Sequence, residues 1–137
     1  MNRALAGLAA AGFGPGRLVT VEVKGRRTGR TVSFPVVVAD YRGERYLVSM
    51  LGQDTNWVRN VRAAGGRAAL RHGRREAVHL EEVDPGGRAA ILRRYLACSP
   101  GARTHIPVDR RAPIGEFENI AGQYPVFHVT AQQPGGG

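Results

Sequence analysis

Alternation of apolar and polar residues along much of the chain predicts β-strands. Apolar side chains, many of them valine, recur at every second position, which is typical of strands with one buried face. Short glycine-containing connections join several of these runs, as in β-hairpins. The runs predicted as strands are residues 17–24, 31–40, 44–50, 67–72, 75–83 and 125–130.

Helical spacing of apolar residues replaces this alternation in three places. The predicted helices are residues 56–64, 88–98 and 114–121. Before the first helix stand three possible N-caps, Asp54, Thr55 and Asn56, and Gly65-Gly66 provides its end.

These elements predict a mainly β fold of the α+β class. Six short strands with three or four short helices favour a small antiparallel barrel, because the hairpin connections are too short for parallel crossovers. The chain of 137 residues suits one domain. Within it, residues 1–16 are predicted to form an N-terminal helix and turn, and residues 131–137 a flexible tail.

Composition removes several classes of protein from consideration. A single cysteine, Cys98, excludes an internal disulfide and a thiolate metal cluster, and its helical context favours a buried thiol. No apolar run is long enough to span a bilayer. The short Ala/Leu stretch at the N-terminus is interrupted by a glycine-proline turn instead of a cleavage site, so we expect a cytoplasmic protein.

The formal net charge of +9 is carried almost entirely by arginine, since all but Lys24 of the twenty basic residues are arginines. A charge of this size attracts polyanions. Nucleic-acid binding therefore stays a possible function at this point.

The most concentrated charge lies at residues 25–30, Gly-Arg-Arg-Thr-Gly-Arg, between the first two predicted strands. The planar guanidinium group donates hydrogen bonds in pairs to phosphate and carboxylate groups. The turn is therefore either an anion-binding site or a solvated hairpin tip that protects a sheet edge.

Groups for hydrolytic or metal chemistry are scarce. No serine stands in a nucleophile-elbow pattern, and the four histidines lack the short spacing of metal ligands. We predict no metal site. His105, in a proline-bearing loop, is the one histidine that we select for a test of function.

A cationic turn beside an apolar, aromatic-bearing sheet is the arrangement expected for a cofactor that carries its own reactivity. Pro35 removes a ladder N–H and so belongs at an edge, a bulge or a barrel mouth. Gly52 lets backbone groups approach a ring. Trp57 could close the pocket or anchor its helix. Arg59 or Arg62 could reach the same anion or be solvated.

Several of these motifs, in this order, resemble the deazaflavin-dependent nitroreductases and quinone reductases of actinobacteria. The likeness is carried by residues 25–30, Pro35, residues 46–52 and residues 56–63, and extends over about 17–130. It implies a split β-barrel of the flavin-reductase type that binds coenzyme F420, an 8-hydroxy-5-deazaflavin with a phosphodiester and a polyglutamate tail. It also implies hydride transfer to a nitro, quinone or enone-type small-molecule acceptor.

The resemblance implies a role for each matching residue. Contacts to the anionic tail fall to Arg26, Arg27, Thr28, Gly29 and Arg30. The deazaflavin would be lined by Phe34, Pro35, Val36, Ser49, Met50, Leu51 and Gly52, with Trp57 and Asn60 closing one side. Arg59 is a further candidate contact to the cofactor, at its anion. Ser49 and Tyr124 are the candidate proton donors, besides water.

Other functions remain open on the sequence alone. The same barrel could hold FMN, or could carry the coenzyme without catalysis. A nucleic-acid binder would need aromatic residues interleaved with arginines, and those present are sparse, so we predict no specific nucleic-acid partner. We expect a monomer or a homodimer.

Overall fold

Six antiparallel strands and three α-helices make up residues 17–132, which a computed structural model describes. The predicted N-terminal helix and turn (1–16) lie outside the described residues, as does the predicted tail apart from its first two residues. The strands are β1 (Arg17–Lys24), β2 (Thr31–Tyr41), β3 (Glu44–Val48), β4 (Arg67–Arg71), β5 (Arg75–Glu82) and β6 (Val126–Ala131). The helices are α1 (Asn56–Ala63), α2 (Ala89–Cys98) and α3 (Ile114–Ile120).

The strands close into a barrel in the order β1-β2-β3-β6-β5-β4, with β4 pairing back to β1. Every pair is antiparallel, as the short connections predicted. The small antiparallel barrel with short helices is thus confirmed. Closure leaves every strand with neighbours on both sides over at least part of its length, which limits exposed sheet edges.

Two apolar clusters form the core. The first fills the barrel with inward-facing side chains, including Val21, Leu47, Leu70 and Phe127, and is covered by α1 through Val58 and Val61. The second lies outside the barrel. There α2 packs against β2 and β3, and α3 packs against α2, with Leu92, Leu96 and Phe117 fully buried.

Element boundaries follow local chemistry. The strand β3 ends at Val48, two residues before the predicted end, because the chain turns at Ser49. Of the three candidate caps for α1, Thr55 is the one used: its hydroxyl accepts a hydrogen bond from the Val58 amide at 3.4 Å. The strand β6 extends to Ala131.

A buried arginine joins the helical layer to the barrel. Arg88, only 4% exposed, precedes α2 and donates hydrogen bonds to the carbonyls of Val83 (2.7 Å), Ala121 (2.9 Å) and Tyr124 (3.3 Å). Its guanidinium also contacts Glu82 at 3.1 Å. Burial lowers the pKa of Arg88, and four acceptors satisfy the charge that burial would otherwise leave uncompensated.

Replacing this arginine should be costly. Arg88→Met removes the side-chain donor from the carbonyls of Val83, Ala121 and Tyr124, although the Ala121 carbonyl keeps the Tyr124 amide at 3.5 Å. We therefore expect the free energy of unfolding to fall by about 3 kcal/mol. Urea denaturation followed by circular dichroism measures the loss. Arg93→Met on the exposed face of the same helix is the control, with an expected change within about 0.5 kcal/mol. An equally small change for both variants would show that Arg88 is not a structural link.

The carboxylate of Glu82 links Arg88 to the last turn of α1, where Arg62 contacts it at 2.7 and 2.9 Å. The hydrogen bonds from Arg62 hold the pKa of Glu82 below its ordinary value. Because the pKa of Glu82 is lower in the folded than in the unfolded state, its ionised carboxylate stabilises the folded protein at pH values above the unfolded-state pKa. This stabilisation is lost as the pH falls through the folded-state pKa.

We therefore expect Glu82→Gln to lower the free energy of unfolding by about 1 kcal/mol at pH 7. The difference from the unmodified protein should shrink as the pH falls below about 4.3, the ordinary pKa of an unfolded-state glutamate, toward the lower pKa that Glu82 has in the folded protein. Denaturation curves across this pH range measure it. The neighbouring Glu81→Gln, at an exposed position, should show no such dependence. A pH-independent Glu82→Gln difference would contradict the ion pair.

Candidate functional site

The cationic turn between β1 and β2 has a defined backbone. The Gly25 amide donates to the Arg30 carbonyl at 2.7 Å, and the Gly29 amide donates to the Gly25 carbonyl at 2.9 Å. Gly29 has a φ of 75°, which favours glycine, and a Cβ at Gly25 would lie 3.2 Å from the Arg30 carbonyl oxygen. Thr28 accepts a hydrogen bond from the Arg30 amide at 3.2 Å. The turn is therefore fixed internally.

A buried asparagine attaches this turn to helix α1. Asn60, 4% exposed, accepts hydrogen bonds through Oδ1 from the Arg26 amide at 3.1 Å and from the Arg26 guanidinium at 2.8 Å. Asn60 was expected beside the ring; it lies instead at the anion end of the site. Arg26 is correspondingly engaged with the protein itself.

The turn and α1 enclose a cavity of about 210 Å³. Its lining residues are Gly25, Arg26, Arg27, Thr28, Val32, Asn56 and Asn60. Of the residues predicted to meet the anionic tail, Arg26, Arg27 and Thr28 line this cavity, whereas Gly29 and Arg30 do not.

Positive charge at the turn is not neutralised by the described part of the chain. Lys24, Arg27 and Arg30 are exposed, and none forms an ion pair within residues 17–132. The nearby carboxylate of Glu22 is occupied by Arg71 (2.8 Å) and Arg75 (2.9 Å), whose hydrogen bonds lower its pKa. These cations are free to bind an external anion.

The first half of strand β2, which begins beside this turn, has no pairing partner among the described residues on the side toward β3. The strand pairs with β1 from Thr31 to Val38, whereas β3 pairs with it only from Val38 to Tyr41. Pro35 therefore lies where β2 has no neighbour on the β3 side, which is the edge position that its missing N–H favours. The prediction from Pro35 agrees with this geometry.

Along the free half of β2 runs an apolar groove of about 660 Å³. The Trp57 ring forms one wall, with its centroid 5.0 Å from that of Phe34 and 5.6 Å from that of Phe127. Six of the residues predicted to line a ring do line this groove: Phe34, Pro35, Val36, Met50, Leu51 and Trp57.

The opposite wall was not predicted. It comes from the C-terminal end of α2 and the following turn, and contains Tyr95, Cys98, Ser99, Pro100 and Gly101. Burial raises the pKa of the Tyr95 phenol, while a hydrogen bond with Ser99 partly offsets this effect. Helical spacing of Tyr95 and Cys98 was visible in the sequence, but their position opposite β2 depends on long-range packing.

The turn after β3 closes the end of the groove. Ser49, 1% exposed, donates its hydroxyl to the Gly52 carbonyl at 2.6 Å, and its amide donates to the Pro125 carbonyl at 2.9 Å. Ser49 lines no described cavity and serves to hold the turn. Gly52, with a φ of 96°, lines a separate cleft and not the groove.

The remaining predicted site residues also lie away from the groove. Arg59, on α1, is exposed to solvent and contacts Asp54 at 3.0 Å. Tyr124 is buried and donates its hydroxyl to the His105 carbonyl at 3.3 Å. It borders the same cleft as Gly52.

Two further properties concern residues 17–132 as a whole. No group of histidine, cysteine or acidic side chains there has an arrangement suited to a metal ion. No helix in that range is long and apolar enough to cross a membrane.

Comparison with known proteins reveals similarity in structure only. No protein-family model and no curated protein matches the chain by sequence. Among solved structures, a heme-binding protein from Mycobacterium smegmatis superimposes with a TM-score of 0.59 at 15% identity, over 90% of this chain. The chain spans about half of that protein (48%).

Two other solved structures match over most of their own length. An F420-H2 dependent reductase has a TM-score of 0.56 at 16% identity, covering 82% of this chain and 93% of the reductase. A FAD-binding protein from Mesorhizobium loti also has a TM-score of 0.56, at 14% identity, covering 93% and 90%. The fold is therefore a small split β-barrel, of a kind that flavin- and deazaflavin-binding proteins share.

The link between turn and helix can be tested directly. Asn60→Ala removes the acceptor for both Arg26 donors, so we expect hydrogen exchange at the Arg26 amide to accelerate about tenfold, as the loss of roughly one hydrogen bond allows. Mass spectrometry or NMR measures the exchange. Asn56→Ala, in the same cavity but without this bond, is the control. Equal exchange in both variants would show that Asn60 does not hold the turn.

Proposed function

We propose that this protein is a deazaflavin-dependent oxidoreductase that uses reduced coenzyme F420. It transfers a hydride to a small acceptor of the nitro, quinone or enone type. The observation that carries the proposal is the adjacency of a cationic cavity and an apolar groove. Strand β2 borders the cavity at Val32 and the groove at Phe34, while α1 borders them at Asn56 and Trp57.

The two halves of the site suit the two halves of this coenzyme. A groove of about 660 Å³ with aromatic and aliphatic walls has the size and apolar lining usual for a bound planar molecule. The phosphodiester and glutamate carboxylates of the tail suit the side chains of Arg27, Arg30 and Lys24. None of these side chains forms an ion pair within the described residues. Three exposed cations favour a polyanionic tail over the single phosphate of FMN.

When bound, the reduced deazaflavin supplies the hydride. The protein's own role is to orient the bound ring and to shield it. Trp57 and Phe34 offer a stacking surface, and the Tyr95 wall narrows the groove from the opposite side. Correct alignment of a hydride donor with its acceptor can lower a barrier by about 7 kcal/mol.

The geometry narrows the choice of proton donor. Ser49 is buried with its hydroxyl committed to Gly52, and Tyr124 donates its hydroxyl to a backbone carbonyl. We therefore assign the proton for the product to water that enters through the open groove.

FMN binding is the second candidate, favoured by the FAD-binding protein among the structural neighbours. Side-by-side titration of the purified protein with oxidised coenzyme F420 and with FMN distinguishes the two, with fluorescence quenching as the readout. We expect binding of the deazaflavin at low micromolar concentration or tighter. Binding without turnover of quinone or nitro acceptors would instead indicate a coenzyme carrier, and absence of deazaflavin binding at modest salt would contradict the proposal.

The role of the turn has its own prediction. Arg27→Ala and Arg30→Ala should each weaken deazaflavin binding about tenfold, because each removes a charge-assisted contact to the tail, without loss of folding stability. Isothermal titration at two salt concentrations measures the effect, and higher salt should reduce it.

Two controls make this result specific. Arg74→Ala, in the turn between β4 and β5, should leave affinity unchanged. A deazaflavin without the phosphodiester tail should bind all variants equally, since it cannot contact the turn. If the tailless compound distinguished the variants, or if Arg27→Ala and Arg30→Ala kept full affinity for the complete coenzyme, the turn would not be the anion site.

A further inference from the structure

A second cleft, polar and about 320 Å³ in volume, lies on the other side of the Ser49–Gly52 turn from the apolar groove. Its lining residues are Met50, Leu51, Gly52, His105, Gln123 and Tyr124. Met50 and Leu51 also line the groove, so the two cavities share a wall. Leu51 is 63% exposed on this shared wall.

The far wall of the cleft is held rigidly by the core. Arg88 fixes the carbonyls of Ala121 and Tyr124 from inside, and the Tyr124 hydroxyl donates to the His105 carbonyl. Next to the lining residues Gly52 and Gln123 in sequence, the Gln53 side chain donates to the Gly122 carbonyl at 3.0 Å. These bonds preorganise the wall before any ligand arrives.

Two polar side chains in the cleft are uncommitted. Neither the His105 imidazole nor the Gln123 amide makes a hydrogen bond within residues 17–132, and both residues are exposed. Each can donate a hydrogen bond to an oxygen atom. These two donors lie beside the apolar groove, whose β2 face provides no side-chain hydrogen-bond donor.

We propose that this cleft, through His105 and Gln123, binds the carbonyl oxygen of a conjugated acceptor whose ring lies in the groove beside Leu51. The inference rests on the proposed function and assigns its acceptor subsite. A bound reduced deazaflavin would supply the hydride, so that its C–H bond would break as a new C–H bond forms at the acceptor. The acceptor is reduced by two electrons and the deazaflavin oxidised. The electron pair of the acceptor moves onto its oxygen, which takes a proton from water.

The test uses the full chain without coenzyme, and two probes of similar shape. Duroquinone carries two carbonyl oxygens and no site for addition of a thiol, whereas durene is the corresponding hydrocarbon. We expect His105→Ala and Gln123→Ala each to weaken duroquinone binding about fivefold, the effect of roughly one hydrogen bond. Durene binding should stay unchanged, and so should both affinities in the control His72→Ala. NMR titration measures all of these.

Each outcome bears on the proposal. Selective loss of duroquinone affinity in both cleft variants would support the subsite. Equal affinities in all variants, or parallel loss for durene, would overturn it. Deazaflavin titration of the same variants separates this inference from the proposed function: normal coenzyme binding with no effect on duroquinone refutes the subsite alone, while absent coenzyme binding refutes the function on which it rests.

Discussion

The double hydrogen bond between Arg26 and Asn60 is the constraint on which the candidate site depends. Without it, the turn and helix α1 would be neighbours that share only a short stretch of surface. With both Arg26 donors on one buried oxygen, the turn is held at a fixed position against the helix that also carries Trp57. The distance between the cavity and the groove is therefore fixed before a ligand that spans both of them binds. Binding then costs less free energy than it would if the ligand had to order the two regions.

Sequence pattern alone predicted the barrel well, because the signals are local. Valine-rich alternation defined β1 and β2, and Thr55 and Gly65 bounded α1 through ordinary capping chemistry. Pro35 indicated an edge because a missing N–H excludes it from a continuous ladder. Where prediction and structure differ, as at the end of β3, a side-chain bond from Ser49 redirects the backbone.

The site was predicted only in part, for a physical reason. The groove residues on β2 follow one another in sequence, and Trp57 stands near the start of α1; all of these except Val37 were predicted. The Tyr95 wall and the cleft with Gln123 arise from packing of α2 and of the segment before β6, and no local period encodes such contacts. Asn60 shows the same limit: its place on α1 was evident, but its partner, Arg26, lies thirty-four residues away.

The charge distribution supports the anion site that we propose at the turn. Carboxylates elsewhere are matched to arginines: the partly buried Glu76 to Arg45, and the exposed Asp40 to Arg94. At the turn the pattern reverses, with exposed like charges close together and no carboxylate among the described residues to offset them. Repulsion there disfavours folding, and the eight-residue pairing of β1 with β2 tolerates it. A polyanion bound at the turn would relieve that repulsion as well as gain contacts, so its binding should stabilise the hairpin more than the contacts alone would.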